Sequence, residues 1–108
     1  LCVPGIKGFQ IIKIRDIIYC EAENTYTNIF LQGDKKLLAS RPLIDYEMLL
    51  QDASFVRIHK SYLINMQHLK EYLKGEGGSV LMSNGKELEI SRRKKEYFVN
   101  YMKQFFKF

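Results

Sequence analysis

The sequence predicts a mostly β domain of short, mainly antiparallel strands, with one short central helix and one helix at the C-terminus. Runs dense in β-branched and aromatic residues recur along the chain, broken every few positions by polar or glycine residues, which is the pattern of strands rather than helices. Asn84-Gly85 stands between two such runs, and that pair is the strongest short-range hairpin signal because both central residues of a type I′ turn need positive φ. An apolar helical period occurs in two places, after Pro42 and after Ser91.

The N-terminal segment 1–8 is punctuated by Pro4, Gly5 and Gly8 and reads as an edge strand or the end of a linker. Residues 9–13 and 17–22 are β-rich runs separated by Arg15-Asp16, and 25–31 with 36–40 read as a hairpin turning at Gly33-Asp34. Pro42 suits a first helical turn, and Leu43, Tyr46, Leu49 and Leu50 recur at three- and four-residue spacings, so a helix over about 42–50 is expected to lay that face on a sheet. Residues 69–73 form a strand, 75–78 a glycine-rich loop, and 79–82 pair with 87–90 across Asn84-Gly85. Ser91 can cap the last helix, in which Phe98, Tyr101, Met102 and Phe105 line one face.

The 108 residues are 46% hydrophobic and 27% charged, so a single domain over 1–108 with one core is expected. Lys plus Arg number 17 against 12 Asp plus Glu, a net charge of +5 that favours a polyanionic partner where the cations cluster. No apolar run is long enough to span a bilayer and the N-terminus has no secretory pattern, so a cytoplasmic protein without a membrane partner is expected. Cys2 and Cys20, taken with His59 and His68, match no zinc spacing, and a cytosolic setting argues against a disulfide. No metal and no cofactor are expected. There is no phosphate-binding glycine loop, nucleophile elbow or placed pair of carboxylates, and His59 and Ser61 have no obvious orienting acid. No catalytic residue, and therefore no enzyme, is expected.

The stretch Phe55-Val-Arg-Ile-His-Lys-Ser-Tyr-Leu-Ile-Asn65 sets the polar triplet His59-Lys60-Ser61 between two apolar runs that must hold it at the surface. Two further polar clusters stand out: 23–27 with Asn24, Thr25, Tyr26 and Thr27, and Ser91-Arg92-Arg93-Lys94. All three carry side chains that hydrogen-bond base edges and phosphates. Four consecutive cations, 92–95, opening a helix oppose its macrodipole and are better explained by a bound anion than by helix stability.

The run 55–65 resembles the F-x-R-x-H-(R/K)-S-(Y/F)-(L/I)-(V/I)-N signature of the LytTR family, the DNA-binding output domain of LytR/AlgR-type bacterial response regulators. Asp16-Ile-Ile-Tyr-Cys-Glu-Ala22 resembles its D-I-x-(Y/F)-x-E-A, Asn24-Thr-Tyr26 its N-Y loop with one insertion, and Ile90-Ser-Arg-Arg93 its V-S-R-R, in the same order over nearly the whole chain. The resemblance implies about ten short strands whose loops, rather than a recognition helix, enter successive major grooves of duplex DNA. It further implies base contacts from Lys60, from Arg93 and from Thr27 or its neighbours, with Asn24, Tyr26, Ser61, Ser91 and Arg92 as phosphate or supporting contacts. Lys94 is expected on a phosphate. Arg57 and His59, flanked by apolar strand residues, are expected to brace the loop.

The function expected is sequence-specific binding of double-stranded promoter DNA as the output domain of a transcriptional response regulator. The abrupt Leu1-Cys2 start and the family imply an N-terminal receiver domain, with two domains meeting direct repeats as a homodimer on DNA. Two alternatives are an OB-like module stacking single-stranded DNA or RNA on Tyr26, Phe30 and Tyr62, and a protein-interaction module using the aromatic face of the last helix.

Overall fold

A computed structural model describes all residues, Leu1–Phe108. Ten strands and two helices follow in order: β1 (Cys2–Gly5), β2 (Gly8–Ile11), β3 (Ile17–Glu23), β4 (Tyr26–Leu31), β5 (Lys35–Ala39), α1 (Leu43–Leu49), β6 (Phe55–His59), β7 (Tyr62–Asn65), β8 (Leu69–Leu73), β9 (Ser79–Met82), β10 (Glu87–Glu89) and α2 (Lys95–Phe106). A five-stranded sheet ordered β5-β4-β3-β7-β6 forms the centre, beside a β10-β9-β8 sheet and a β1-β2 hairpin. Every pairing is antiparallel. The mostly β fold with a short central and a C-terminal helix is the one the sequence predicts.

Both faces of the central sheet are covered, so two hydrophobic clusters stand where a single core was expected. On one face Val56, Ile58 and Ile64 meet Val80, Met82 and Leu88 of the smaller sheet and Phe98 and Met102 of α2. On the other Cys20, Ile29, Phe55 and Leu63 meet Val3 of β1 and Leu43, Tyr46 and Leu50 around α1. Leu63 and Ile64 go to opposite faces by the ordinary alternation of a strand. In β3 a register shift between Ile17 and Tyr19 lets four consecutive residues, Ile17 to Cys20, all be buried. Asn65 is buried too, and its side chain ties β7 to the neighbouring β3 and to the turn that follows: Nδ2 donates to the Ile17 carbonyl at 2.9 Å and Oδ1 accepts from the Gln67 amide at 3.0 Å.

The structure corrects several sequence expectations. The N-terminal segment is a strand, one of its two expected forms, and the β-rich run read as 9–13 is its partner over Gly8–Ile11. Helix α1 begins after Pro42, which stays extended (φ −72°, ψ 159°), and Leu49 faces solvent while Leu43, Tyr46 and Leu50 are buried. At Asn84-Gly85 only Gly85 has positive φ, and the Gly85 amide reaches the Met82 carbonyl while the Met82 amide reaches Lys86. The connection is thus a three-residue loop with glycine in the left-handed position, not a two-residue type I′ turn. Ser91 makes no side-chain cap. A 3₁₀ turn over Arg92–Lys94 precedes α2, so only Lys95 of the four cations lies in the helix, and the macrodipole weighs less on them than the sequence implies.

Replacing Asn65 by Ala leaves the buried Ile17 carbonyl unpaired and is expected to reduce unfolding free energy by about 2 kcal/mol in urea titration. Burial pushes the Cys20 thiol up to about 12, whereas Cys2 is exposed. A thiol reagent at mildly alkaline pH is therefore expected to modify one cysteine in the native chain and two after unfolding. Burial, then Glu21 and Tyr62, likewise raise Tyr19 to about 12. Both groups keep their protons longer in the folded state, so their stabilisation is complete below the ordinary thiol value of 9.0 and is lost as pH climbs from there towards 12. Melting temperatures across that range should fall.

Candidate nucleic-acid interface

Strand β3 pairs with β4 on one side and β7 on the other, so the β3–β4 turn and the β6–β7 turn emerge at the same end of the sheet. The Ala22 amide donates to the Ser61 carbonyl at 2.9 Å and ties the two turns together. The Ser91 amide donates to the Ile58 carbonyl at 2.9 Å and brings the 3₁₀ turn of Arg92–Lys94 beside β6. The three polar clusters singled out in the sequence therefore gather at one end of the central sheet. A groove of about 790 Å³ opens there between the β6–β7 turn and the start of α2, lined by His59, Lys60, Ser91, Arg93, Lys94 and Tyr97, with Arg57 and Glu47 completing it.

The β6–β7 turn is held from below by one guanidinium. Arg57 Nε donates to the His59 carbonyl at 2.8 Å, Nη2 donates to the Lys60 carbonyl, and Nη1 bonds Glu47 Oε1 of α1 at 2.6 Å. The Ser61 amide donates to His59 Nδ1 at 3.0 Å, which leaves the ring proton on Nε2, 3.3 Å from Glu89 Oε1. Arg57 and His59 are braces, as their apolar flanks imply, and Glu47 joins them. Burial, then Glu21 and Glu89, hold the Tyr62 hydroxyl above its ordinary pKa.

Lys60, Arg92 and Arg93 are exposed and form no ion pair. Lys94 is half-buried, with Nζ 5.6 Å from the centre of the Tyr97 ring. Ser61 and Ser91 are half-buried beside them. In the first turn, Asn24 takes a left-handed conformation (φ 56°) that asparagine tolerates, which leaves Asn24, Thr25 and Tyr26 exposed. Thr27 is a correction. It is fully buried, and its hydroxyl donates to the Arg41 carbonyl at 2.7 Å, so it cannot reach a base edge and belongs to the support of the turn.

Sequence reasoning assigned no role to Glu47, Tyr97 or Arg41. Glu47 and Tyr97 lie on helices whose faces meet the groove only after packing. Arg41 was visible in principle, because it closes the β5 segment that runs back towards the Asn24 turn. Of the three rings a single-strand platform would use, Phe30 stacks on Tyr19 at 4.4 Å and Tyr62 packs edge-on to Tyr19 at 6.4 Å, both half-buried against the core, while Tyr26 is exposed. The aromatic face of α2 is likewise used internally, with Phe98 and Met102 buried and Tyr101 and Phe105 packed on the same cluster.

A family described as LytTr DNA-binding domain matches residues 7–103. The transcriptional regulatory protein LytR of Staphylococcus aureus strain MW2 is 33% identical over 85 residues, covering 77% of this chain and 34% of LytR. The sensory transduction protein LytT of Bacillus subtilis strain 168 is 29% identical over 88 residues, covering 80% of this chain and 36% of LytT. The chain thus spans about a third of the length of these relatives. Among solved structures, the LytTr DNA-binding domain of a putative methyl-accepting/DNA response regulator from Bacillus cereus superposes with a TM-score of 0.81 at 22% identity over 94% of both chains.

Arg57→Met removes two bonds to the turn and one to Glu47 while keeping an apolar stem. It is expected to cost about 2 kcal/mol of stability, from the charge-assisted bonds lost, and amide exchange at Lys60 and Ser61 should quicken more than in β4.

Proposed function

The chain belongs to the LytTr DNA-binding domain family, and from that premise we propose that it reads duplex DNA in a sequence-specific manner through the three turns gathered at the end of its central sheet. The observation that carries this reading is that Lys60, Arg92 and Arg93 are unpaired cations standing on braced backbone, beside exposed Asn24, Thr25 and Tyr26. A rigid mount lets a side chain discriminate, because little ordering entropy is lost on contact. Arg93, with its planar fork, and Lys60 read guanine O6 and N7 in the major groove. Asn24, Thr25, Tyr26, Ser61, Ser91 and Arg92 contact phosphates or steady those that do. Lys94, held over Tyr97, supplies phosphate attraction.

The one domain over 1–108 is then the output part of a cytoplasmic transcriptional response regulator, without catalytic activity of its own. Matched relatives about three times as long support a second domain, and a receiver that dimerises two such modules on direct repeats of promoter DNA would raise affinity through effective concentration.

Selection of duplexes from a random library, followed by binding of the variants, tests the reading. Arg93→Ala is expected to weaken the selected duplex by tenfold or more, about 1 to 3 kcal/mol, with little change on random duplex. Lys94→Ala should weaken both together and flatten the salt dependence by about one unit. Equal loss on both DNAs for Arg93→Ala would remove its base-reading role.

A further inference from the structure

We propose that Arg41 is a further DNA contact, made to a phosphate at the β5 edge of the interface; the proposal rests on the duplex-reading function above. Strand β5 pairs with β4 so that Ala39 lies opposite Thr27, which delivers Ser40 and Arg41 to the same end of the sheet as the β3–β4 turn. Their backbone is fixed there: Thr27 Oγ1 donates to the Arg41 carbonyl at 2.7 Å and the Ser40 amide donates to the Pro4 carbonyl at 2.9 Å. The Arg41 side chain is 52% exposed, and its one ion pair, to Asp45 at 3.7 Å, involves a carboxylate that is itself 37% exposed. An exposed pair of that length is weak and exchanges readily with another anion.

The width of the row assigns the kind of contact. The order β5-β4-β3-β7-β6 puts Arg41 at one side, the β3–β4 turn between, and Lys60 and Arg93 at the other. Four strand intervals of about 4.8 Å span about 19 Å, more than the major-groove width of about 12 Å. With the row set across a groove that holds Lys60 and Arg93, the β5 edge therefore extends past the groove wall onto the backbone. A guanidinium there meets phosphate, which carries no base information.

The test compares wild type, Arg41→Gln and Arg41→Lys on a duplex selected from a random library by the wild-type chain and on random duplex, across a salt series, with melting curves as the folding control. For Arg41→Gln, affinity for both duplexes should fall by the same factor, about fivefold near 0.15 M salt, and the log–log salt slope should decrease by about 0.9. Arg41→Lys should keep slope and affinity near wild type, since a point charge suffices for phosphate. An unchanged slope for Arg41→Gln, or a loss confined to the selected duplex, would overturn the phosphate contact while leaving the interface standing. Failure of the wild-type chain to bind duplex in a salt-dependent way would overturn both.

Discussion

Strand β3 is hydrogen-bonded along both edges, to β4 and to β7, and the arrangement of the site depends on that double pairing. Being antiparallel to β3, both β4 and β7 run in the same direction, and each is entered from the turn before it, so the two turns lie at one end. The β3–β4 and β6–β7 turns are therefore neighbours although more than thirty residues separate them in the chain. Covering both faces of the sheet leaves polar side chains only the edges and ends to occupy. The result is a hydrophobic double layer with its polar groups concentrated where the turns emerge.

Within that end, the charged residues divide by what they already hold. Arg57 has its donors committed to two carbonyls and to Glu47, and His59 is engaged between the Ser61 amide and Glu89. Their charge and geometry are used inside the protein. Lys60, Arg92 and Arg93 have no such partners and project from backbone fixed by their neighbours. Rigid support with free side chains is the arrangement that turns a basic surface into one that can discriminate, since flexible lysines alone supply attraction without register.

Local chemistry and long-range packing were unequally legible in the chain. Strands rich in Ile, Val, Tyr and Phe declared themselves, as did the amphipathic α2, because periodicity is a property of neighbouring residues. Leu49 was misassigned because a two-turn helix leaves the edge of its apolar stripe ambiguous by one position. Thr27 was misassigned because its side of β4 depends on the length of the preceding turn, and one inserted residue changes which side chain faces inward. The Asn84-Gly85 turn was located correctly but its loop was one residue longer than the dipeptide implied, which the pairing register of β9 and β10 settles. Glu47 carried no local signal at all: a glutamate on a helix is ordinarily solvated, and only docking of α1 against β6 turns it towards Arg57.

By itself the sequence determined the class of fold, the order of its strands along the chain, the family signature around His59-Lys60-Ser61 and the excess of basic residues, since each is written in composition or in the spacing of near neighbours. The tertiary structure decided which polar residues share a surface, which cations are free and which are spent as braces, and that Thr27 is inside while Arg41 is out. Those outcomes follow from strand order and register, which are fixed by burying two hydrophobic clusters at once and not by any segment read alone.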